Sequence, residues 1–114
     1  MKEYLLLIRG GDDRMATLSD AETQEHMKRW TSYLQDLANQ GHLIGGLPLQ
    51  QGGYLMTKDE VREEMVLTSQ GESVGGWLHL QAKDYDQAVS LAKSCPIFEH
   101  NGSLEVREVI PMEF

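Results

Sequence analysis

The sequence is poor in cysteine, proline and long apolar runs, and each shortage excludes a class of protein. Its single cysteine, Cys95, cannot form an intrachain disulfide, and we expect a buried thiol at a helix end rather than a nucleophile. Three prolines and no low-complexity tract argue against a disordered chain. The longest apolar run near the N-terminus, residues 5–8, is too short for a membrane span or a signal peptide. These features predict a cytoplasmic protein.

Basic residues are also scarce. The chain has 10 Lys and Arg against 18 Asp and Glu, which gives a formal net charge of −8 at pH 7. Such a charge repels nucleic-acid phosphates and anionic lipids unless a basic patch is concentrated somewhere, and the basic residues here are scattered. We therefore expect neither nucleic acid nor a membrane as a partner.

The sequence motifs of nucleotide and metal sites are missing. The glycine pairs at 10–11, 45–46, 52–53 and 75–76 lack the spacing of a phosphate-binding loop. There is no HExxH sequence, and one cysteine cannot supply a thiolate-rich zinc site. A metal site would require the fold to bring together some of the four separated histidines, which are His26, His42, His79 and His100. We predict no cofactor and no metal.

The remaining composition is that of one globular domain covering residues 1–114. Hydrophobic residues make up 40% and charged residues 25%, and a chain of 114 residues can bury one core.

Residues 18–41 carry the clearest helix signals. Ser19, with Glu22 three residues later, is typical of a capping box, and Gly41 is a terminating residue, so we predict a helix over about 20–40. At about 100° per residue, His26 lies at the border of the apolar stripe, about 60° from its centre. The stripe comprises Met27, Trp30, Tyr33, Leu34, Leu37 and Ala38.

The order of the other elements predicts the fold class. We expect strands at 3–9, 42–49, 53–58, 63–69, 75–82 and 103–110, with a loop at 97–103. A second helix begins after Asp84 and ends before Pro96. The order βαβ, hairpin, βαβ predicts an α+β, ferredoxin-like fold with both helices on one sheet face. We expect the second helix to turn Tyr85, Ala88, Val89, Ala92 and Cys95 toward the core.

The other face of the sheet is also apolar. Period-two alternation in residues 75–82 places Trp77 and His79 on the face opposite the core, together with Leu5 or Leu7 of the first strand. Such a face is too apolar to remain in water. We therefore predict a symmetric homodimer in which a second copy covers it.

His26 is the candidate catalytic residue, with two interpretations open. It can line a pocket walled by Trp30 and transfer protons, or it can merely bridge core and solvent. Asp36 is a weak partner because it lies about 15 Å further along the same helix, on its polar side. An acidic partner must come from elsewhere in the chain or from a second subunit. The candidate substrate-binding residues are Trp30, Trp77 and His79, although tryptophans commonly pack in cores and interfaces.

Four segments together resemble the YCII-related family, particularly its DGPF-type branch. These are KEYLLLIRGGDD (2–13), HMKRWTSYLQDLANQGHLIGG (26–46), GGWLHLQAKDYDQAVSLAKSCP (75–96) and GSLEVREVIP (102–111). The resemblance covers most of the chain. Its most specific elements are His26 with Trp30 and Gly41, and GGW followed by D-x-x-x-A-x-x-x-A-x-x-x-P at Asp84, Ala88, Ala92 and Pro96.

The resemblance implies a ferredoxin-like dimer of the dimeric α+β barrel type. It also implies that His26 matches the characteristic histidine of the family, with an acid–base role. In place of the DGPF tetrapeptide this chain has LTSQGESVGG (67–76), which lacks the aspartate and has Glu72 as its nearest acid. We predict a small dimeric enzyme with His26 as general acid/base on a small polar or aromatic substrate. The alternative is a non-catalytic ligand-binding or regulatory module.

Overall fold

The computed structural model describes residues 1–10, 18–50, 52–63 and 74–113. Within these ranges the chain forms strands, two α-helices and one 3₁₀ helix. In chain order they are β1 (Lys2–Arg9), α1 (Asp20–Asn39), β2 (Leu43–Pro48), β3 (Tyr54–Met56), β4 (Val61–Glu63), β5 (Val74–Ala82), α2 (Tyr85–Ala92), the 3₁₀ helix (Pro96–His100) and β6 (Ser103–Glu108).

Four strands form one antiparallel sheet in the order β2-β5-β1-β6, and β3 pairs with β4 in a separate two-stranded sheet. β1 is central and pairs with both β5 and β6. This arrangement confirms the predicted α+β class and is compatible with a ferredoxin-like fold. No helix in the described part of the chain combines the length and apolarity needed to cross a membrane.

The core lies between one face of the sheet and the two helices. Leu6 of β1 and Leu80 of β5 are fully buried and pack in one cluster with Leu37 of α1 and Ala92 of α2. Each fully buried leucine stabilises the fold by about 2 kcal/mol. The alternation predicted for β5 is confirmed, because Leu78, Leu80 and Ala82 are all buried on this face.

Both ends of α1 are fixed by local signals. The Ser19 hydroxyl accepts a hydrogen bond from the Glu22 amide, and the Glu22 carboxylate accepts one from the Ser19 amide, so the predicted capping box is present. At the other end the amides of Gly41 and His42 donate to the carbonyls of Ala38 and Leu37, which is a Schellman motif. Gly41 permits it because its φ is +78°.

The glycine pair in β2 allows this strand to lie close to β5. The register of the β2–β5 pairing shifts between Leu43 and Gly45, as expected for a bulge. A Cβ on Gly46 would lie 2.5 Å from the Trp77 carbonyl oxygen. A side chain at position 46 would therefore push the two strands apart.

Three predictions are wrong, and they concern the start of the second hairpin strand, the loop at 97–103 and the buried side of α2. The second strand of the hairpin begins at Val61 and not at residue 63, because a tight turn between Thr57 and Glu60 lets pairing resume at once. The rest of the predicted strand, residues 64–69, lies outside the described ranges. The predicted loop at 97–103 begins as the 3₁₀ helix Pro96–His100. On α2, Tyr85 and Val89 are 46% and 42% exposed.

The short length of α2 explains the third difference. The helix has 8 residues, and its buried side is the pair Ala88 and Ala92, which are one turn apart. Tyr85 instead lies beside Tyr4, with ring centroids 4.9 Å apart, and its hydroxyl accepts a hydrogen bond from the Glu108 amide. It therefore covers the edge of the core.

Candidate functional site

A cavity of about 320 Å³ lies between α1, the 3₁₀ helix and the adjoining ends of β1, β2 and β5. Most of its wall is apolar and includes Leu34 of α1, Leu47 of β2, Leu78 of β5 and Ile97 of the 3₁₀ helix. Of the described residues that line it, His26 and His100 have ionisable side chains. A concave apolar space with few polar groups is the usual form of a small-molecule site.

His26 and Trp30 face the same side of α1 because they are four residues apart. The Trp30 indole Nε1 donates a hydrogen bond to His26 Nε2 over 2.9 Å. An indole N–H can only donate, so Nε2 must be the unprotonated nitrogen of a neutral His26. The proton of this ring is consequently on Nδ1.

The Nδ1 side of His26 faces the 3₁₀ helix. His100 Nε2 lies 3.1 Å from His26 Nδ1, and Glu99 Oε2 lies 3.6 Å from the same atom. Because Nδ1 carries the proton, it donates to His100, and the Glu99 carboxylate is a second acceptor close by. The indole, the two imidazoles and the carboxylate therefore form one polar chain, which begins on α1 and ends on the 3₁₀ helix.

Glu99 is held in position from α1. Arg29 Nε donates to Glu99 Oε2 over 2.7 Å, and Arg29 also lies 3.4 Å from Glu25. The Arg29 and Glu99 side chains are 44% and 41% exposed, so this ion pair contributes at most about 1 kcal/mol to stability. Its effect is to orient the carboxylate toward His26.

Burial sets the charge of His26. The residue is 3% exposed, and this burial lowers the pKa of its imidazole below the ordinary value of 6.5. The neighbouring His100 lowers the pKa further, while Glu99 opposes both effects. His26 is therefore neutral at pH 7. The predicted position of His26, at the border of the apolar stripe, was wrong. The side chain is buried because both of its ring nitrogens find hydrogen-bond partners inside the fold.

The buried side of α1 is rotated from the predicted stripe toward His26. Its buried residues are His26, Tyr33 and Leu37, whereas Met27 is 53% exposed and Ala38 is also exposed. Hydropathy alone cannot detect this rotation, because it treats a histidine as polar whatever its hydrogen bonds.

Among the candidate site residues, His26, Trp30 and Trp77 border the cavity. Trp77 does so from a position in β5 that alternates with Leu78, so its side chain belongs to the other face of the sheet. His79 is also on that face, where its Nε2 lies 2.6 Å from Glu3 Oε1. The structure thus brings His26 and Trp30 together and leaves His79 apart from them.

The sequence reasoning missed His100 and Glu99 as partners of His26. A signal was present in the topology, because β6 returns antiparallel beside β1 and pairs Ser103 with Arg9. The residues just before Ser103 must therefore lie near the end of β1, where the cavity opens. Asn101, with a φ of +59°, makes the turn between the 3₁₀ helix and β6.

A family model described as the YCII-related domain matches residues 3–113. The chain belongs to the YCII-related domain family. The comparison with curated proteins gave no match. Residues 64–73 of this YCII-related protein lie outside the described ranges, so the position of Glu72, and of most of the segment that replaces the DGPF tetrapeptide, is not described.

Three ligand atoms of the YCII-related site resemble a metal centre in their spacing. Atoms of His26, Glu99 and His100 lie within 4.8 Å of one another. Ligands of a tetrahedral zinc ion are about 3.4 Å apart, given bonds of about 2.1 Å. The separations of 3.1 Å and 3.6 Å from His26 Nδ1 come close to that value.

The hydrogen bonds around these atoms nevertheless disfavour a metal. A neutral histidine that binds an ion through Nδ1 carries its proton on Nε2 and donates it to an acceptor. In this protein, Nε2 of His26 faces the donor Nε1 of Trp30 at 2.9 Å. Arg29 also occupies the Glu99 oxygen at 2.7 Å. The geometry therefore favours a hydrogen-bond chain over a metal centre.

Cys95 takes no part in this chain. It is 3% exposed, and burial raises the pKa of its thiol to about 11. The prediction of a buried thiol is confirmed, and a thiol with this pKa is not a nucleophile near neutral pH.

Proposed function

We propose that this protein is a small enzyme that holds a largely apolar molecule, the size of one or two aromatic rings, in the cavity and exchanges a proton with it. The chemistry depends on His26. The observation that carries this proposal is the buried, neutral His26, hydrogen-bonded to Trp30 and His100 at the wall of an apolar cavity of about 320 Å³.

The cavity volume bounds the substrate. A cavity of about 150 Å³ lined by apolar side chains holds benzene. A space of about 320 Å³ therefore suits a bicyclic or a substituted single ring. The apolar wall favours the ring, and the imidazoles of His26 and His100 favour a polar group at one end of it.

The electrostatics of the site support acid–base chemistry over the binding of an anionic ligand. A neutral imidazole in a site sheltered from water can take or give a proton near neutral pH, which typically accelerates a reaction by about 10²–10⁴-fold. Burial and His100 keep His26 neutral. A neutral His26 does not attract anions as a fixed positive charge would.

The test is exchange of a carbon-bound proton in a bicyclic ketone. We expect the protein to accelerate incorporation of solvent deuterium at the α-carbon of 2-indanone, measured by NMR, and to lose this acceleration in His26→Ala. The matched control is His42→Ala, because His42 contacts the Gln81 carbonyl and does not line the cavity. Equal exchange rates in His26→Ala and the wild type would refute a role for His26.

A second candidate function is a non-catalytic binding or regulatory module using the same cavity. It is favoured by the engagement of both His26 nitrogens in hydrogen bonds. It predicts that 2-indanone binds, as measured by quenching of tryptophan fluorescence, without any deuterium incorporation. It also predicts that binding persists in His26→Ala and weakens in Trp77→Ala.

We propose that the protein forms a homodimer of the dimeric α+β barrel type. Support comes from the sheet face opposite the helices, where Leu5 pairs with His79 and Leu7 with Trp77 in register. These side chains are only partly buried within one chain. Sedimentation at micromolar concentration tests the dimer, and a strict monomer would contradict it. The predicted cytoplasmic location and the expected lack of a nucleic-acid partner stay predictions from composition.

A further inference from the structure

The outer face of the four-stranded sheet, which points away from the helices, carries a balanced set of charges. Its side chains are Glu3, Leu5, Leu7 and Arg9 of β1, Leu47 of β2, Trp77, His79 and Gln81 of β5, and Glu105 and Arg107 of β6. The two carboxylates on this face balance its two guanidinium groups, whereas the whole chain has a formal net charge of −8. The outer face can therefore meet an identical face without the repulsion that other parts of the surface would cause.

The order of these charges makes the outer face self-complementary. Pairing across the strands arranges its side chains in rows. Taken along the strands, the charged rows follow in the order Glu3, Arg107, Glu105 and Arg9, so the sign of the charge alternates. When such a face is turned end for end, each acid takes the place of a base.

Two outer faces can pack about a twofold axis that runs either along the strands or across them. An axis along the strands sets each row against its own copy, so Glu105 and Arg107 meet apolar side chains or like charges. An axis across the strands, at the level of Leu6, sets Glu3 against the partner's Arg9. It also sets Arg107 against the partner's Glu105. Both charge pairs require the same axis, and an unpaired charge in an interface is costly.

We propose that a second copy covers the outer face about a twofold axis that runs across the strands, and that the partner's His79 closes the cavity rim at Trp77. This inference rests on the proposed homodimer and specifies how the second subunit completes the proposed site.

The axis joins the dimer interface to the cavity. Trp77 and Leu47 pair in register on the outer face, and both border the cavity. Leu47 is 62% exposed within one chain, so this rim is open to solvent. Because the axis lies between the rows of Leu5 and Leu7, it places Trp77 opposite the partner's His79, which lies in the row of Leu5. Each cavity is thus closed by the other subunit.

The contacts within one chain are compatible with pairing across the interface. Glu3 Oε1 lies 2.6 Å from His79 Nε2, and a carboxylate can accept several hydrogen bonds, so the partner's Arg9 can share it. Arg9 Nη2 lies 3.3 Å from Glu105 Oε1, and a guanidinium has further N–H donors. Arg107 lies 2.9 Å from Glu105 in the same way. Charges from two subunits then form one network on each side of the axis.

The first experiment mixes two charge-reversed variants. Glu3→Arg places like positive charges at both ends of the interface, and Arg9→Glu places like negative charges there. We expect each variant alone to dimerise about tenfold more weakly than the wild type in sedimentation. An equimolar mixture restores opposite charges at both ends, so its heterodimer should have a Kd within about threefold of the wild-type value.

The matched control is Asp36→Arg, the same charge reversal on the exposed side of α1, which should dimerise like the wild type. Circular dichroism checks that each variant folds. If either one does not fold, Glu105→Arg mixed with Arg107→Glu makes the same comparison in the neighbouring rows. A mixture that associates no better than the separate variants, beside a dimeric wild type, would overturn the axis and leave the homodimer intact.

The second experiment tests whether the partner covers the cavity rim. Leu47→Cys introduces a thiol at this exposed position, and the native Cys95 is buried. We expect a thiol reagent to label Leu47→Cys at least about tenfold more slowly above the Kd of the dimer than below it. The control Gln35→Cys, on the exposed side of α1, should react equally at both concentrations. Equal rates for Leu47→Cys would overturn the closure of the cavity by the partner.

The outcomes separate this inference from the proposed function. If the wild type is a strict monomer, the proposed homodimer fails and the inference is overturned with it. If both experiments give the expected results but 2-indanone exchanges no proton, the enzyme proposal fails and the interface stands.

Discussion

Replacing Trp30 by phenylalanine removes one hydrogen-bond donor and keeps most of an aromatic ring in the cavity wall. The donor is Nε1, which lies 2.9 Å from His26 Nε2. The substitution therefore leaves a ring nitrogen without its partner in a residue that is 3% exposed. All other hydrogen bonds of His26 are left intact.

The magnitude follows from the cost of a buried acceptor that has lost its donor, which is about 1–3 kcal/mol. We expect the free energy of unfolding of Trp30→Phe to fall by about 2 kcal/mol near pH 8, which corresponds to about 8 °C in Tm for a chain of this size. The matched control is Trp77→Phe, the same ring change on the other side of the sheet, where no contact with His26 is removed.

The pH dependence of the free energy of unfolding gives a second readout of the Trp30–His26 hydrogen bond. The pKa of His26 in the folded protein is lowered from 6.5, mainly by burial and further by His100. The unfolded chain therefore binds more protons below about pH 6.5, and the wild type loses stability as the pH falls, by up to about 1.4 kcal/mol per pH unit. In Trp30→Phe the free Nε2 can accept a proton, so the pKa of His26 moves back toward its ordinary value and this loss is smaller.

Urea unfolding of the wild type and Trp30→Phe at several values between pH 8 and pH 5 checks both effects. We expect the difference in the free energy of unfolding to be largest near pH 8 and to narrow below about pH 6.5. A difference that stays constant over this range, or one no larger than that of Trp77→Phe, would refute the assignment of Nε2 as a buried acceptor.

Three further predictions concern other parts of the structure. Gly46→Ala should destabilise the protein by about 1–3 kcal/mol, because its Cβ would meet the Trp77 carbonyl at 2.5 Å, whereas Gly45→Ala, with open space around its Cβ, should be near neutral in the same urea titration. Cys95 should resist a thiol reagent at pH 8 until the protein is unfolded, since burial raises the pKa of its thiol to about 11, and fast labelling of the native protein would contradict that burial. Added Zn²⁺ should leave the Tm unchanged because Trp30 donates to His26 Nε2, and a rise in Tm that is lost in His100→Ala would show a metal site instead.

Much of the secondary structure was predictable because its signals act over a few residues. The capping box of Ser19 and Glu22 and the terminating Gly41 fixed the ends of α1 to within one residue of the prediction. The period of two in residues 75–82 likewise predicted which side chains of β5 enter the core. No comparably specific signal marks the end of the charged turn before β4, and the predicted start of this strand, residue 63 instead of Val61, was wrong.

The candidate site was only half predictable. His26 and Trp30 share a helix face at a separation of four residues, so the sequence by itself determines that they meet. His100 is 74 positions from His26 in the chain, and its approach depends on β6 returning beside β1. Only the tertiary structure could decide that His26 is buried and neutral, because the hydrogen bonds that make burial of an imidazole tolerable come in part from that distant segment.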